Sequence, residues 1–167
     1  MPPRVFLGLG SNLGAREATL LEARRELLAR GFHEQAASRL YVTEPVGGPP
    51  QPWYLNQVLG GETALSPRRL LRECRAVERR HGRQRGVRNA PRTLDVDILM
   101  YGDAVRDTPA LQLPHPRLHE RRFVMVPLAE IAPELRHPRL GLSVRELLER
   151  CPDRSRVEPY GAGETRA

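Results

Sequence analysis

Asp95 and Asp97 stand two residues apart in TLDVDILMYG, residues 93–102, a run whose other members are largely apolar. In an extended strand successive side chains point to opposite faces, so Leu94, Val96 and Ile98 share one side and the two aspartates the other. Their Cα atoms then lie about 6.6 Å apart, at a rise of roughly 3.3 Å per residue. Two carboxylates at that spacing either belong to a solvated strand face or lean together on a pair of cations about 3.5–4 Å apart. Like charges so close repel each other unless solvent or a cation relieves them. Oxygen donors with no His or Cys beside them suit magnesium rather than zinc.

The segment leading into this run is rich in arginine. Arg83, Arg85, Arg88 and Arg92 lie in GRQRGVRNAPR (82–92), and Arg68, Arg69, Arg72, Arg75, Arg79 and Arg80 precede them. Against Glu73 and Glu78, these ten arginines leave residues 68–92 with a charge of +8. The earlier six read mostly as a solvated helix face. The loop arginines are tethered beside the candidate metal site, and guanidinium forks with magnesium are what phosphoryl transfer requires to position phosphates and spread their charge.

A second group surrounds PVGGPPQPW (45–53): Thr43, Pro45, Gly47, Tyr54 and Asn56. A stiff loop beside an aromatic ring and an amide fits a flat polar heterocycle; alternatively Asn56 simply satisfies backbone groups. His115, fixed between two prolines with Arg117, Arg121 and Arg122 close behind, is either a donor to a phosphate or an ordinary loop histidine. GLGSNLG (8–14) does not make a dinucleotide fingerprint, because its third glycine falls at 14 rather than 13. A Walker A loop is excluded, since all 27 basic residues are arginine and lysine is absent.

The bulk composition is compatible with these readings. A chain of 167 residues with 40% hydrophobic and 28% charged residues suggests one soluble domain with a real core. A net charge of +7 points to an anionic partner. Cys74 and Cys151, with no Cys-x-x-Cys spacing, read as packed reduced thiols. VFLGLG is too short for a signal or membrane segment, so a cytoplasmic protein is expected.

The elements that must position these residues follow from periodicity and punctuation. Residues 4–10 read as a buried strand, 15–30 as an amphipathic helix ending at Gly31, and 32–44 as one irregular strand. The proline-rich loop 45–53 precedes a strand over 54–63. Ser66 caps a helix that has Pro67 at its first position and runs to about His81. Strand 93–102 follows the arginine loop. Beyond it come a short hairpin-like segment at AVRD, a helix whose apolar face includes Phe123, Val126 and Leu128, and a final helix over 143–151. The order strand–helix–strand–strand–helix–strand is a split βαβ arrangement. It predicts an α+β, ferredoxin-like fold with helices on one face of a mainly antiparallel sheet. One domain spans 1–151, followed by a mobile polar tail over 152–167.

Five segments in order, GLGSNLG, YLNQV, ERRHGRQR, APRTLDVDIL and PHPRLHERRFVMVPL, closely resemble the 6-hydroxymethyl-7,8-dihydropterin pyrophosphokinases from about residue 4 to about 150. The resemblance implies transfer of the β,γ-diphosphoryl group of ATP to the pterin hydroxymethyl, with release of AMP, in folate biosynthesis. It implies two magnesium ions on Asp95 and Asp97, and a pterin held between Tyr54 and Phe123 beside Asp95, its edge read by Asn56 and by the main chain from Thr43 through Pro45 and Val46 to Gly47. Arg83 and Arg92 would bind the migrating phosphates, and Glu78, Arg85, Ile98, His115 and Arg121 would contribute to the ATP site. A monomer with small-molecule substrates, and no nucleic acid or membrane partner, is expected. The chain departs from some relatives in carrying Asn89 where they have tryptophan, and in a loop 82–92 that is one residue shorter and free of lysine. Two rivals remain at this level: a basic RNA-binding sheet, opposed by an aromatic content of only 5%, and a kinase that attacks the γ-phosphorus and releases ADP.

Overall fold

The computed structural model describes residues 2–82 and 93–161. Strands β1 (Arg4–Ser11), β2 (Phe32–Ala37), β3 (Tyr41–Thr43), β4 (Tyr54–Thr63) and β5 (Asp95–Tyr101) alternate with helices α1 (Arg16–Ala29) and α2 (Pro67–Arg80). A small hairpin, β6 (Arg106–Asp107) with β7 (Gln112–Leu113), leads to helices α3 (Arg122–Ile131) and α4 (Val144–Arg150) and to a last strand β8 (Val157–Pro159). The main sheet runs β5-β1-β4-β3-β8, with β2 also paired to β4 and every pairing antiparallel. This is a ferredoxin-like α+β arrangement with additions.

Local chemistry sets several boundaries, those at Ser66 and Gly31 as expected. The Ser66 hydroxyl accepts from the Arg69 N–H at 3.3 Å with Pro67 in the first turn, and Ser143 and Glu146 cap α4 reciprocally. Gly31 ends α1 at φ +108°, where a β-carbon would be strained and would also meet Leu65 at 3.2 Å.

The expected single strand over 32–44 is two. At Ser38 both the amide and the hydroxyl turn to Val58: the Ser38 N–H donates to the Val58 carbonyl at 2.9 Å, and the Ser38 hydroxyl accepts from the Val58 N–H at 3.0 Å. A side chain takes the place of a ladder carbonyl, so regular pairing stops and resumes at Tyr41.

Helices cover both faces of the sheet rather than one. On one face Val5, Leu7 and Leu9 pack with Leu20 and Leu27 of α1 and with Leu70 and Val77 of α2. On the other, Phe6, Val58 and Met100 pack with Met125 and Leu128 of α3 and Val144 and Leu147 of α4. The second layer was illegible because only three-dimensional pairing shows that β4 and β5 leave an apolar patch there. The buried face of α3 is Val124, Met125 and Leu128, while Phe123 is turned toward a cavity. No helix among the described residues is long and apolar enough to cross a membrane. Cys74 and Cys151 are free and buried, and burial pushes the Cys74 thiol up to about 12, which keeps it protonated.

The segment from residue 152, expected to be a mobile tail, belongs to the domain as far as it is described. β8 pairs with β3, with Tyr41 opposite Pro159 and Thr43 opposite Val157, and the Tyr160 N–H donates to the Leu40 carbonyl at 2.9 Å. Three residues, one of them proline, carry no readable alternation, so this strand exists only through its partner.

Candidate active site

The half of the second face that α3 leaves uncovered forms a cavity of about 430 Å³, within the size range of small-molecule sites. Its floor follows from register. Gly10 of β1 lies opposite Asp95 on β5 and Asn56 on β4; one step along, Gly8 lies opposite Asp97 and Val58. These residues therefore project to one face, and two glycines in the central strand leave a trough between the carboxylates and the amide. At about 4.8 Å per strand, the Asp95 and Asn56 main chains are roughly 10 Å apart. A β-carbon on Gly10 would sit 2.5 Å from Asn56 Oδ1, so only glycine admits this arrangement.

The Asn56 amide is fixed as well as buried. Its Nδ2 donates to the Thr43 hydroxyl at 2.6 Å, which leaves Oδ1 facing the trough. Tyr54 lines the wall beside it, and Phe123 lies on the cavity side of α3. Pro45, Val46 and Gly47 of the proline-rich loop form another wall. The β4 end of that loop is tied down: Asn12 Nδ2 donates to Gln51 Oε1 at 2.8 Å and to the Pro52 carbonyl at 3.0 Å, and Arg16 Nη1 donates to the Trp53 carbonyl at 2.6 Å.

Beside the carboxylates the wall is cationic: the His115 N–H donates to the Leu99 carbonyl of β5 at 2.9 Å. Arg117 and Arg121 line it with His115, and the Arg121 guanidinium lies 5.6 Å from the Phe123 ring centroid. His115 Nδ1 accepts from the Arg117 N–H at 3.2 Å. The neutral ring therefore carries its proton on Nε2 and offers it as a donor. Burial, and then the charges of Arg121, Arg117 and Arg75, push the His115 imidazole down to about 4. The unfolded chain therefore binds a proton near the ordinary value of 6.5 while the folded chain does not, so stability falls as pH drops from about 6.5 toward about 4. Between pH 7 and 4.5 the wild type should lose roughly 2–3 kcal/mol more than His115→Gln. Urea unfolding of both proteins at each pH measures the difference, and parallel losses would refute this environment for the ring.

Behind the trough, α2 holds β5. Glu78, 1% exposed, accepts from the Val96 N–H at 2.8 Å through Oε2, while Arg75 Nη1 donates to Glu78 Oε1 at 3.2 Å and to the Val96 carbonyl at 3.3 Å. β5 is an edge strand, and these two side chains satisfy the outward main-chain groups of the residue between the two aspartates. Glu78 does not line the cavity. Ile98 does not either; its side chain lies in the core on the opposite face. Arg83, Arg85, Arg88, Asn89 and Arg92 lie outside the described residues.

Among the described residues no three His, Cys, Asp or Glu side chains cluster as a metal site. The oxygen pair of Asp95 and Asp97 on one strand face nevertheless fits magnesium, which binds through one or two carboxylates and fills its remaining positions with water and phosphate. Gly8, Gly10, Gln51 and Arg117 also line the cavity without having been singled out as site residues. The glycine pair at alternate positions of a strand was the available signal for the floor.

A family model described as 7,8-dihydro-6-hydroxymethylpterin-pyrophosphokinase (HPPK) matches residues 6–133. The chain belongs to this pyrophosphokinase family. It is thus an enzyme, an ATP-dependent diphosphotransferase of folate biosynthesis acting on hydroxymethyldihydropterin. The chain is 43% identical over 159 residues to a 2-amino-4-hydroxy-6-hydroxymethyldihydropteridine pyrophosphokinase of Methylorubrum extorquens, covering 95% of this chain and 96% of that one. It is 41% identical over 154 residues to the protein of the same name from Pseudomonas aeruginosa, covering 91% and 94%. The fold also matches the crystal structure of Plasmodium falciparum HPPK-DHPS with pteroate, at TM-score 0.72 and 14% identity, over 90% of this chain. The pyrophosphokinase spans only 42% of that longer chain.

Proposed function

We propose that the pterin lies over Gly10 between Tyr54 and Phe123, with Asn56 and the main chain of residues 43–47 on its polar edge and its hydroxymethyl group toward Asp95 and Asp97. The observation that carries this reading is the shared strand face on which the fixed Asn56 amide and the two carboxylates look across a glycine floor. The distance between them, about two strand spacings, suits a substrate that is a flat heterocycle at one end and a nucleophile at the other. The ATP phosphates lie toward His115 and Arg121; Arg83, Arg85 and Arg92, which the family resemblance names as phosphate ligands, lie outside the described residues.

The pterin hydroxyl oxygen attacks the β-phosphorus in line and gives up its proton, forming the new O–P bond as the bond from that phosphorus to the oxygen bridging it to the α-phosphorus breaks and AMP leaves with that oxygen. Asp95 and Asp97 would hold two magnesium ions, which when bound lower the hydroxyl pKa and neutralise charge on the phosphates. His115 donates its Nε2 proton as a hydrogen bond without adding charge, and Arg121 supplies the fixed cation. The loop 45–53 shields the reacting atoms from water, which would otherwise hydrolyse ATP. Glu78 acts at one remove by holding β5. We take the enzyme to act as a monomer on these small-molecule substrates, and place it in the cytoplasm, where its soluble substrates are.

A product balance tests the reaction. Incubation with ATP, magnesium and 6-hydroxymethyl-7,8-dihydropterin should give one AMP per diphosphorylated pterin. ADP in place of AMP would move the attack to the γ-phosphorus and overturn the proposed geometry.

A further inference from the structure

The loop 45–53 leaves the sheet from β3 and returns to it at β4, and its tip carries two glycines with positive φ, Gly47 at +71° and Gly48 at +77°. Such a loop holds its shape only as well as its two ends are held. Asn12 and Arg16 fasten the β4 end. The C-terminal segment reaches both ends through one residue. Pairing of β8 with β3 brings Arg156 beside Glu44: the Glu44 N–H donates to the Arg156 carbonyl at 3.1 Å, and the Arg156 N–H donates to Glu44 Oε1 at 2.7 Å. The Arg156 guanidinium lies 5.5 Å from the centroid of the Trp53 ring, held by a 2.9 Å hydrogen bond from Nη2 to Glu158 Oε1. Arg156 therefore touches the residue just before the loop and the last residue within it.

We propose that Arg156 is a positioning residue for pterin binding, setting the span of the loop 45–53 from the start of a C-terminal strand that itself contributes nothing to the cavity wall. This rests on the cavity being the pterin site. Its main-chain bonds fix Glu44, next to Thr43, whose hydroxyl orients Asn56. Its side chain fixes Trp53, next to the cavity residue Tyr54. Loss of the guanidinium leaves each end held separately but removes the contact that couples them, so the pterin meets a wall whose span must be set on binding. The ATP side, built on β5 and the segment around His115, is untouched.

Trp53 is the only tryptophan in the chain, so its fluorescence reports this contact directly. Pterin is titrated in the presence of magnesium and a nonhydrolysable ATP analogue, following Trp53 emission, in the wild type, Arg156→Met, Arg156→Ala and Arg156→Lys. Steady-state KM and kcat are measured alongside. Arg156→Met keeps the aliphatic stem and all main-chain bonds, which guards against a variant that does not fold. The expected result is a pterin Kd and KM raised about threefold to tenfold in the Met and Ala variants, on the scale of a lost cation–π contact and a loosened loop. kcat and the ATP KM stay within about twofold, and lysine, which keeps a cation over the indole, recovers most of the loss. An unchanged pterin affinity in folded Arg156→Met overturns the inference, as does an equal rise in both substrates' KM or a failure of lysine to rescue. A wild type that binds no pterin would instead count against the assignment of the cavity.

Discussion

Asp97→Asn should lower kcat/KM by on the order of a thousandfold, about 4 kcal/mol of transition-state stabilisation, in a protein that folds normally. Asparagine keeps the shape and one oxygen but removes the anionic charge. Asp97 faces the cavity opposite Gly8, on an edge strand already fixed from behind through Val96, so the strand keeps its place when the charge is removed. The deficit should therefore lie in kcat and in the magnesium concentration needed for half-maximal rate, with the pterin Kd little changed. Asp95→Asn should behave alike with some added loss of pterin binding, since Asp95 lies in the same row as Asn56. Steady-state kinetics across a magnesium titration, with thermal unfolding as a control, make the check. A loss under about tenfold in kcat/KM would return these carboxylates to a merely solvated strand face.

The second large effect belongs to a residue outside the cavity. Glu78→Ala should destabilise the fold by about 3 kcal/mol, because it leaves the buried Val96 N–H without its acceptor and removes the carboxylate that pairs with Arg75. For a domain of this size that corresponds to a melting point lower by roughly 6–12 °C. Activity should fall too, since Val96 separates the two aspartates and its main chain sets their spacing. Glu78→Gln retains an acceptor for Val96 and should recover most of the stability. Circular dichroism melts of both variants decide the matter. Equal destabilisation by alanine and glutamine would mean that charge, rather than the bond to Val96, is what Glu78 contributes.

These two residues also show what was legible in the sequence. The aspartates announced themselves by alternation in an apolar run, a local pattern that survives without knowledge of strand pairing. Glu78 was named only through the family resemblance, as a contributor to the ATP site; its partner is a main-chain amide eighteen positions away, and no side-chain pattern encodes that. The same division holds across the fold. The cap of α2 and the end of α1 at Gly31 depend on neighbours within a few residues and were readable. The break at Ser38, the second helical layer and the pairing of β8 to β3 depend on contacts between distant segments. Tyr54, Asn56, Thr43 and Phe123 could be named from motifs. That they stand around Gly8 and Gly10 follows from antiparallel register, which no single segment contains. Ile98 illustrates the reverse: motif position suggested the nucleotide site, but strand alternation already placed its side chain with Leu94 and Val96, on the core side, where it is found.

The central claim, that a pterin hydroxyl held by this strand face attacks the β-phosphorus of ATP, is tested most directly by isotope. The 6-hydroxymethyl-7,8-dihydropterin is prepared with ¹⁸O in its hydroxyl group, turned over to completion with ATP, and the products are examined by ³¹P NMR and mass spectrometry. The account predicts all of the label in the oxygen bridging carbon and the inner phosphorus of the pterin diphosphate, and unlabelled AMP. Label in AMP, or a product whose bridging oxygen came from ATP, would mean that a different bond is made and broken, and would contradict it.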